Sequence, residues 1–164
     1  MYDVVVGFPR MKVAVRTRDG RVTDIEYLPP SAPLVSPKTS LGERAAQQLA
    51  AYLADPDTQF DLPLLVEGTP FQKRLWAALC EIPRGKTLTY GALARRLGGE
   101  GVEMNRAVGQ ACGDNRLPIV IPCHRVVAAN GIGGFAHASR GYLLEAKRWL
   151  LAHECGADAF ELTP

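Results

Sequence analysis

Residues 117–127 hold the side chains best suited to covalent chemistry. There an apolar run interrupted by Pro118 and Pro122 delivers Cys123, His124 and Arg125 in succession. A thiol attacks as its thiolate, and a neighbouring imidazole or guanidinium either takes the proton or favours the anion. Pro122 fixes its own φ and restricts Ile121, so the backbone entering Cys123 is stiff. On a strand-like segment, adjacent side chains point to opposite sides. Cys123 and His124 then cooperate only through a turn or a bridging water. A third group has to orient the imidazole, and Glu154, at the end of the last expected helix, is the candidate. The alternative is a buried cysteine beside a surface histidine and arginine.

The other cysteines, Cys80, Cys112 and Cys155, have no comparable neighbours and read as small buried hydrophobes. No CxxC pair occurs, and no zinc-type spacing, so no metal is expected. The N-terminus lacks the basic start and small-residue cleavage site of a secretory signal. No apolar run approaches the roughly 20 residues that span a bilayer. These features predict a soluble, cytoplasmic chain without disulfides or a membrane segment.

The elements that must position Cys123 fall into two parts, residues 1–67 and 68–164. In the first, Asp3–Phe8, Lys12–Thr17 and Val22–Leu28 read as strands, with Asp19-Gly20 as a hairpin turn. After a Pro/Ser-rich loop, Leu41–Leu53 carries apolar or small residues at helical spacing. In the second part, Thr69-Pro70-Phe71-Gln72 combines a capping Thr, a Pro at the first helical position and a Gln three residues on. That helix should end before Pro83. Thr89 can cap a helix over Tyr90–Leu97, a third spans Asn105–Cys112, and a fourth Arg140–Glu154. On the fourth, Tyr142, Leu143, Ala146, Trp149, Leu150 and His153 fall on one side.

Charge separates the same regions. The chain of 164 residues carries only +2, but residues 69–150 hold twelve Lys/Arg against five Asp/Glu, a net +7. Such a segment suits an anionic partner, most simply nucleic acid. Two short helices joined by a Gly-containing loop within it suggest a helix-turn-helix. Its second helix has few long side chains for reading base edges. Ala107, Gly109 and Ala111 instead let a partner approach the backbone closely.

Ile121-Pro122-Cys123-His124-Arg125-Val126 resembles the active-site signature of the alkylguanine-DNA alkyltransferases, also called methylated-DNA–protein-cysteine methyltransferases. Thr69 to Gln72 with Leu75-Trp76, Ile82 to Gly85 with Thr89-Tyr90, Arg106 to Gly109, and Asn115 through Val127 occur in that family's order. Gly131 to Phe135 and Lys147 to Leu151 complete the set. The resemblance implies an α+β chain. A small ribonuclease-H-like sheet-and-helix domain precedes a mainly helical domain with a winged-helix-like helix-turn-helix. The implied activity is direct-reversal repair of DNA, in one irreversible turnover. An alkyl group leaves oxygen 6 of guanine, or oxygen 4 of thymine, for Cys123.

In that scheme His124 takes the thiol proton through a water and Glu154 orients His124. Asn115 braces the turn that carries the active-site segment. Tyr90 helps rotate the nucleotide, contacts the guanine and protonates it as it departs. Arg106 fills the gap in the duplex, while Ala107, Gly109 and Arg125 belong to the DNA contact. The guanine pocket involves Val126 with Gly134, Phe135 and Ala136. The partner is double-stranded DNA containing alkylated guanine, the protein is a monomer, and no cofactor or metal is required. Two departures from the family pattern stand out. The 98–104 linker is longer and more acidic than usual, and Ala136 stands where some relatives carry a hydroxyl residue.

Physical chemistry makes the same demands. A base inside a stack is out of reach of a protein sulfur and must be extruded, at a cost of a few kcal/mol. A thioether product has no carbonyl for water to attack, so turnover ends after one event. The rivals are a cysteine hydrolase, a DNA-binding regulator with a structural cysteine, and a lesion-binding protein without an acceptor thiol. Cys123 itself argues against the last.

Overall fold

A computed structural model describes residues 1–133 and 141–156, which form a mixed α/β chain with five helices and two small sheets. It divides into two compact units, Met1–Val66 and Glu67–Pro164.

The first unit is a three-stranded antiparallel sheet in the order β1 (Val4–Gly7), β2 (Lys12–Arg18), β3 (Arg21–Leu28), followed by helix α1 (Ser40–Ala54). The β2–β3 turn places Asp19 and Gly20 at φ 51° and 76°, the left-handed pair that a two-residue hairpin requires. Val13 and Val15 are fully buried on β2, with Val22 and Ile25 on β3 and Leu49 and Tyr52 on α1. Thr39 caps α1 by accepting from the Gly42 amide at 2.9 Å.

The second unit begins with α2 (Pro70–Cys80), closed by the expected capping box between Thr69 and Gln72. Leu75, Trp76 and Leu79 form its buried stripe, and Trp76 Nε1 donates to the Ala111 carbonyl at 3.0 Å. A two-residue strand β4 (Leu88–Thr89) leads into α3 (Tyr90–Arg96), whose cap is Thr89. Helix α4 (Val102–Gly113) follows. After a loop and a single 3₁₀ turn at Cys123–Arg125 comes β5 (Val126–Val127), which pairs in parallel with β4. The closing helix is α5 (Tyr142–Cys155).

Three expectations need correction. Helix α4 begins at Val102, three residues earlier than the sequence suggested, so it absorbs Val102, Glu103 and Met104 from the supposed linker. Gly101, at φ 100°, is its first flanking residue and supplies no side-chain cap. The buried face of α5 is rotated from the expected one and consists of Ala146, Lys147, Leu150, Leu151 and Glu154. Trp149 and His153 stack on each other instead, with ring centroids 4.7 Å apart. Finally, residues 117–122 form bends and turns rather than a strand. Prolines 118 and 122 have no amide to give a sheet ladder, and the Ile121 amide closes a turn on the Leu117 carbonyl at 2.8 Å.

Candidate active site

The turn that replaces the strand brings the chemistry together. Asn115 holds it from within: its Nδ2 donates to the Ile121 carbonyl at 2.8 Å, and its Oδ1 accepts from the Leu117 amide at 2.9 Å. Between these anchors Ile119 sits at φ 74°. That conformation costs a β-branched residue about 1–3 kcal/mol and persists only where surrounding bonds hold it. The Cys123 amide then closes onto the Ile121 carbonyl at 2.8 Å, and Cys123, His124 and Arg125 wind into the 3₁₀ turn. Successive side chains therefore do not alternate as on a strand.

Cys123 is 7% exposed and His124 is fully buried. Burial raises the Cys123 thiol above its ordinary 9.0, against the hydrogen bond with Asn115 and the nearby Lys147 ammonium. The resting group is the thiol, so attack needs a proton acceptor. Arg125 was expected to favour the anion, but its charge is directed elsewhere.

His124 Nε2 lies 2.9 Å from Glu154 Oε2, with both side chains shut off from solvent. Burial holds the imidazole below its ordinary 6.5, outweighing the upward pull of Glu154. A neutral ring with its Nε2 proton on the carboxylate side has its free lone pair on Nδ1. Nδ1 is buried and has no hydrogen-bond partner among the described residues.

Glu154 is held from a second side by Arg125, whose Nε reaches Oε1 at 2.9 Å and whose second guanidinium nitrogen reaches Oε2 at 3.0 Å. The remaining guanidinium nitrogen donates to the Ile82 carbonyl at 2.7 Å. Arg125, expected among the DNA contacts, has its guanidinium directed at Glu154 and the Ile82 carbonyl. A bidentate match to a buried carboxylate is the stronger bond for a guanidinium, and it draws Arg125 inward.

Lys147 was missed by sequence reasoning. It is fully buried, donates from Nζ to the Val126 carbonyl at 2.7 Å, and lies 5.8 Å from the centre of the Tyr90 ring. Burial pulls its pKa down to about 8, while the nearby Cys123 and Cys112 oppose the fall. The available signal was a lysine on the same helical stripe as Glu154, seven residues earlier.

Helices α3 and α4 border a cavity of about 660 Å³. Thr89, Tyr90, Gly91 and Arg95 line one side, and Val102, Asn105, Arg106 and Gly109 the other, with Ala128 and Ala129 following β5. Gly109 faces open space there. Ala107 is exposed on α4 but does not line the cavity, and neither Cys123 nor Val126 does. Tyr90 links the two places. It lines the cavity, and burial, then Cys112 and Cys123, push its phenol well above the ordinary 10.0. Gly133, at φ 74°, leaves room for the Tyr90 ring, because a Cβ there would come within 3.0 Å of it. Gly134, Phe135 and Ala136, expected in a base pocket, lie outside the described residues. Among the described residues no cluster of three His, Cys, Asp or Glu could hold a metal ion, and no helix is long and apolar enough to cross a membrane.

The family model for the DNA-binding domain of 6-O-methylguanine DNA methyltransferase matches residues 70–156, which include every residue of this site described above. The chain belongs to the 6-O-methylguanine DNA methyltransferase family. A member moves a methyl group from methylated DNA to one of its own cysteines. The methylated-DNA–protein-cysteine methyltransferase of Methanosarcina acetivorans is 45% identical over 111 residues, 67% of each chain. The protein of that name from Mycolicibacterium paratuberculosis is also 45% identical over 111 residues, 67% of this chain and 63% of that one. The matched stretch thus spans about two thirds of these relatives. The crystal structure of Mycobacterium tuberculosis O6-methylguanine methyltransferase superposes with a TM-score of 0.78 at 32% identity, covering 96% of this chain and 94% of that one. A structure of the M. tuberculosis protein in complex with DNA gives a TM-score of 0.75 at 33% identity, covering 93% and 92%.

Proposed function

We propose that Cys123 is the acceptor and that the chain repairs DNA by taking an alkyl group from oxygen 6 of guanine, once per molecule. What carries the reading is the neutral, buried His124, whose Nε2 lies 2.9 Å from the Glu154 carboxylate and whose Nδ1 has no partner among the described residues. In the reaction the Cys123 thiol gives its proton to Nδ1 through a water. Sγ then attacks the alkyl carbon, the carbon–oxygen bond breaks, and a proton returns to the guanine. Tyr90 is the donor: its raised pKa keeps the phenol protonated near the Cys123 sulfur. Glu154 stabilises the imidazolium as it forms, and Arg125 fixes Glu154. Asn115 holds the turn, and Lys147 holds the Val126 carbonyl that faces the base. The thioether does not hydrolyse, so the protein is consumed.

The cavity between α3 and α4 supports the substrate side. An extruded nucleotide enters beside Tyr90, and Arg106, exposed on the α4 side of the cavity, fills the gap in the stack. Gly109 and Ala107 allow the close approach of a duplex. Oxygen 4 of thymine reacts in the same way. We read the first unit as ribonuclease-H-like and α3–α4 with the β4–β5 pair as a winged-helix-like module. We place these modules in two domains, residues 1–67 and 68–164. The protein acts as a cytoplasmic monomer on double-stranded DNA without a cofactor.

With excess methylated duplex, product should plateau at one equivalent of protein. Continued release of repaired DNA beyond that plateau would exclude the reading and favour a turning-over hydrolase.

A further inference from the structure

The cavity holds a second guanidinium whose use the reaction does not explain. Arg95, one turn along α3, lines it opposite Arg106. Its guanidinium folds back over Gly91, where a Cβ would meet a terminal nitrogen of Arg95 at 3.4 Å. That is ordinary van der Waals contact, so the cation lies along the cavity wall beside Gly91, the direction in which a helical side chain leans toward its own N-terminus. Among the described residues neither Arg95 nor Arg106 is paired with a carboxylate, and the lining contains no acidic side chain. Arg96, its neighbour on the helix, is exposed and outside the lining. A cavity with two unpaired guanidiniums on facing walls and no balancing acid is built for an anion. Thr89 and Asn105 add neutral hydrogen-bonding groups between them.

We propose that Arg95 holds a backbone phosphate of the strand whose base is extruded, while Arg106 occupies the stack. The inference rests on the proposed function, since it needs a nucleotide to enter at Tyr90. Arg95 is then a positioning residue. It touches no reacting atom but fixes the nucleotide's backbone at the mouth, so the phosphate binds equally well whatever base follows. With one guanidinium anchoring the backbone and the other replacing the base, the opened duplex is held on both sides of the gap.

The test uses duplex containing O6-methylguanine and, for binding, a Cys123→Ser background so that no transfer consumes the lesion. Arg95→Ala should flatten the dependence of log affinity on log salt by about 0.9, the slope of one phosphate contact. Arg95→Lys should restore it, and Arg96→Ala should flatten it clearly less. With Cys123 intact, Arg95→Ala should slow transfer from duplex while transfer from free O6-methylguanine stays within twofold of wild type. An unchanged slope, an equal loss in Arg96→Ala, or an equal slowing with the free base would overturn the assignment. The parent reading fails separately, through a wild-type protein that takes no methyl group from the duplex.

Discussion

Among the described residues each unit of the chain buries one carboxylate, and the two are satisfied in opposite ways. Asp3, 5% exposed, accepts from the Thr17 hydroxyl at 2.6 Å, from the Thr39 hydroxyl, and from the Lys38 and Thr39 amides at 2.8 and 3.1 Å. Burial alone would raise its pKa, but these donors outweigh it and hold the carboxyl below its ordinary 3.8. Every partner is a fixed neutral donor, and the result ties β1, β2 and the start of α1 together. Glu154, 4% exposed, meets two ionisable side chains, Arg125 and His124. Arg125 has all three of its guanidinium nitrogens engaged, whereas His124 meets the carboxylate only through Nε2 at 2.9 Å and its Nδ1 has no hydrogen-bond partner among the described residues. A saturated carboxylate builds structure. A carboxylate set against a buried imidazole can stabilise a proton that arrives on the ring.

The contrast can be broken by mutation. Glu154→Ala strands a buried guanidinium and should cost about 3–5 kcal/mol in denaturant unfolding. It should also abolish alkyl transfer in whatever fraction remains folded. Asp3→Ala should cost about 1.5–3 kcal/mol, the worth of hydrogen bonds to a charged group. Yet the transfer rate per folded molecule should be unchanged. An equal loss of transfer from both variants would erase the distinction between them.

A smaller effect sharpens the Asp3 side. Gly42 lies in α1, where Gly→Ala ordinarily stabilises by about 1 kcal/mol. Here a Cβ would fall 2.1 Å from an Asp3 carboxylate oxygen. Gly42→Ala should therefore destabilise, by about 1–3 kcal/mol in thermal or denaturant unfolding. Stabilisation would show that the Asp3 cluster yields freely.

The mildest effect concerns acid. His124 is held below its ordinary 6.5 when folded, so on acidification the unfolded chain takes up the proton first. Stability should fall as pH drops through about 6.5 and be fully present above it. His124→Asn should flatten that fall in the melting temperature, and an unaltered slope would place the titration elsewhere.

Much of the framework was legible because its signals are local. The Asp19-Gly20 hairpin, the Thr69 capping box and the Thr89 cap each depend on residues within a few positions of one another. Cys123 and His124 stood out by adjacency, and Glu154 by its place after His153 at a helix end. What escaped depends on partners distant in sequence. Arg125 beside a Cys-His pair reads as a surface charge until Glu154 is brought to it. Lys147 reads as solvated until α5 is rotated onto the Val126 carbonyl. The β4–β5 pair joins two dipeptides too short to show any period. Residues 117–122 have strand composition, but two prolines and the Asn115 bracket turn them into a loop.

The most direct test is peptide mapping of the protein after reaction with duplex containing O6-methylguanine. Four cysteines compete, and Cys80 is exposed whereas Cys123 is buried. The site geometry predicts a single added methyl group, on Cys123 alone. Methylation of Cys80 or Cys155 with Cys123 unmodified would mean that accessibility, and not the arrangement around His124, governs the chemistry.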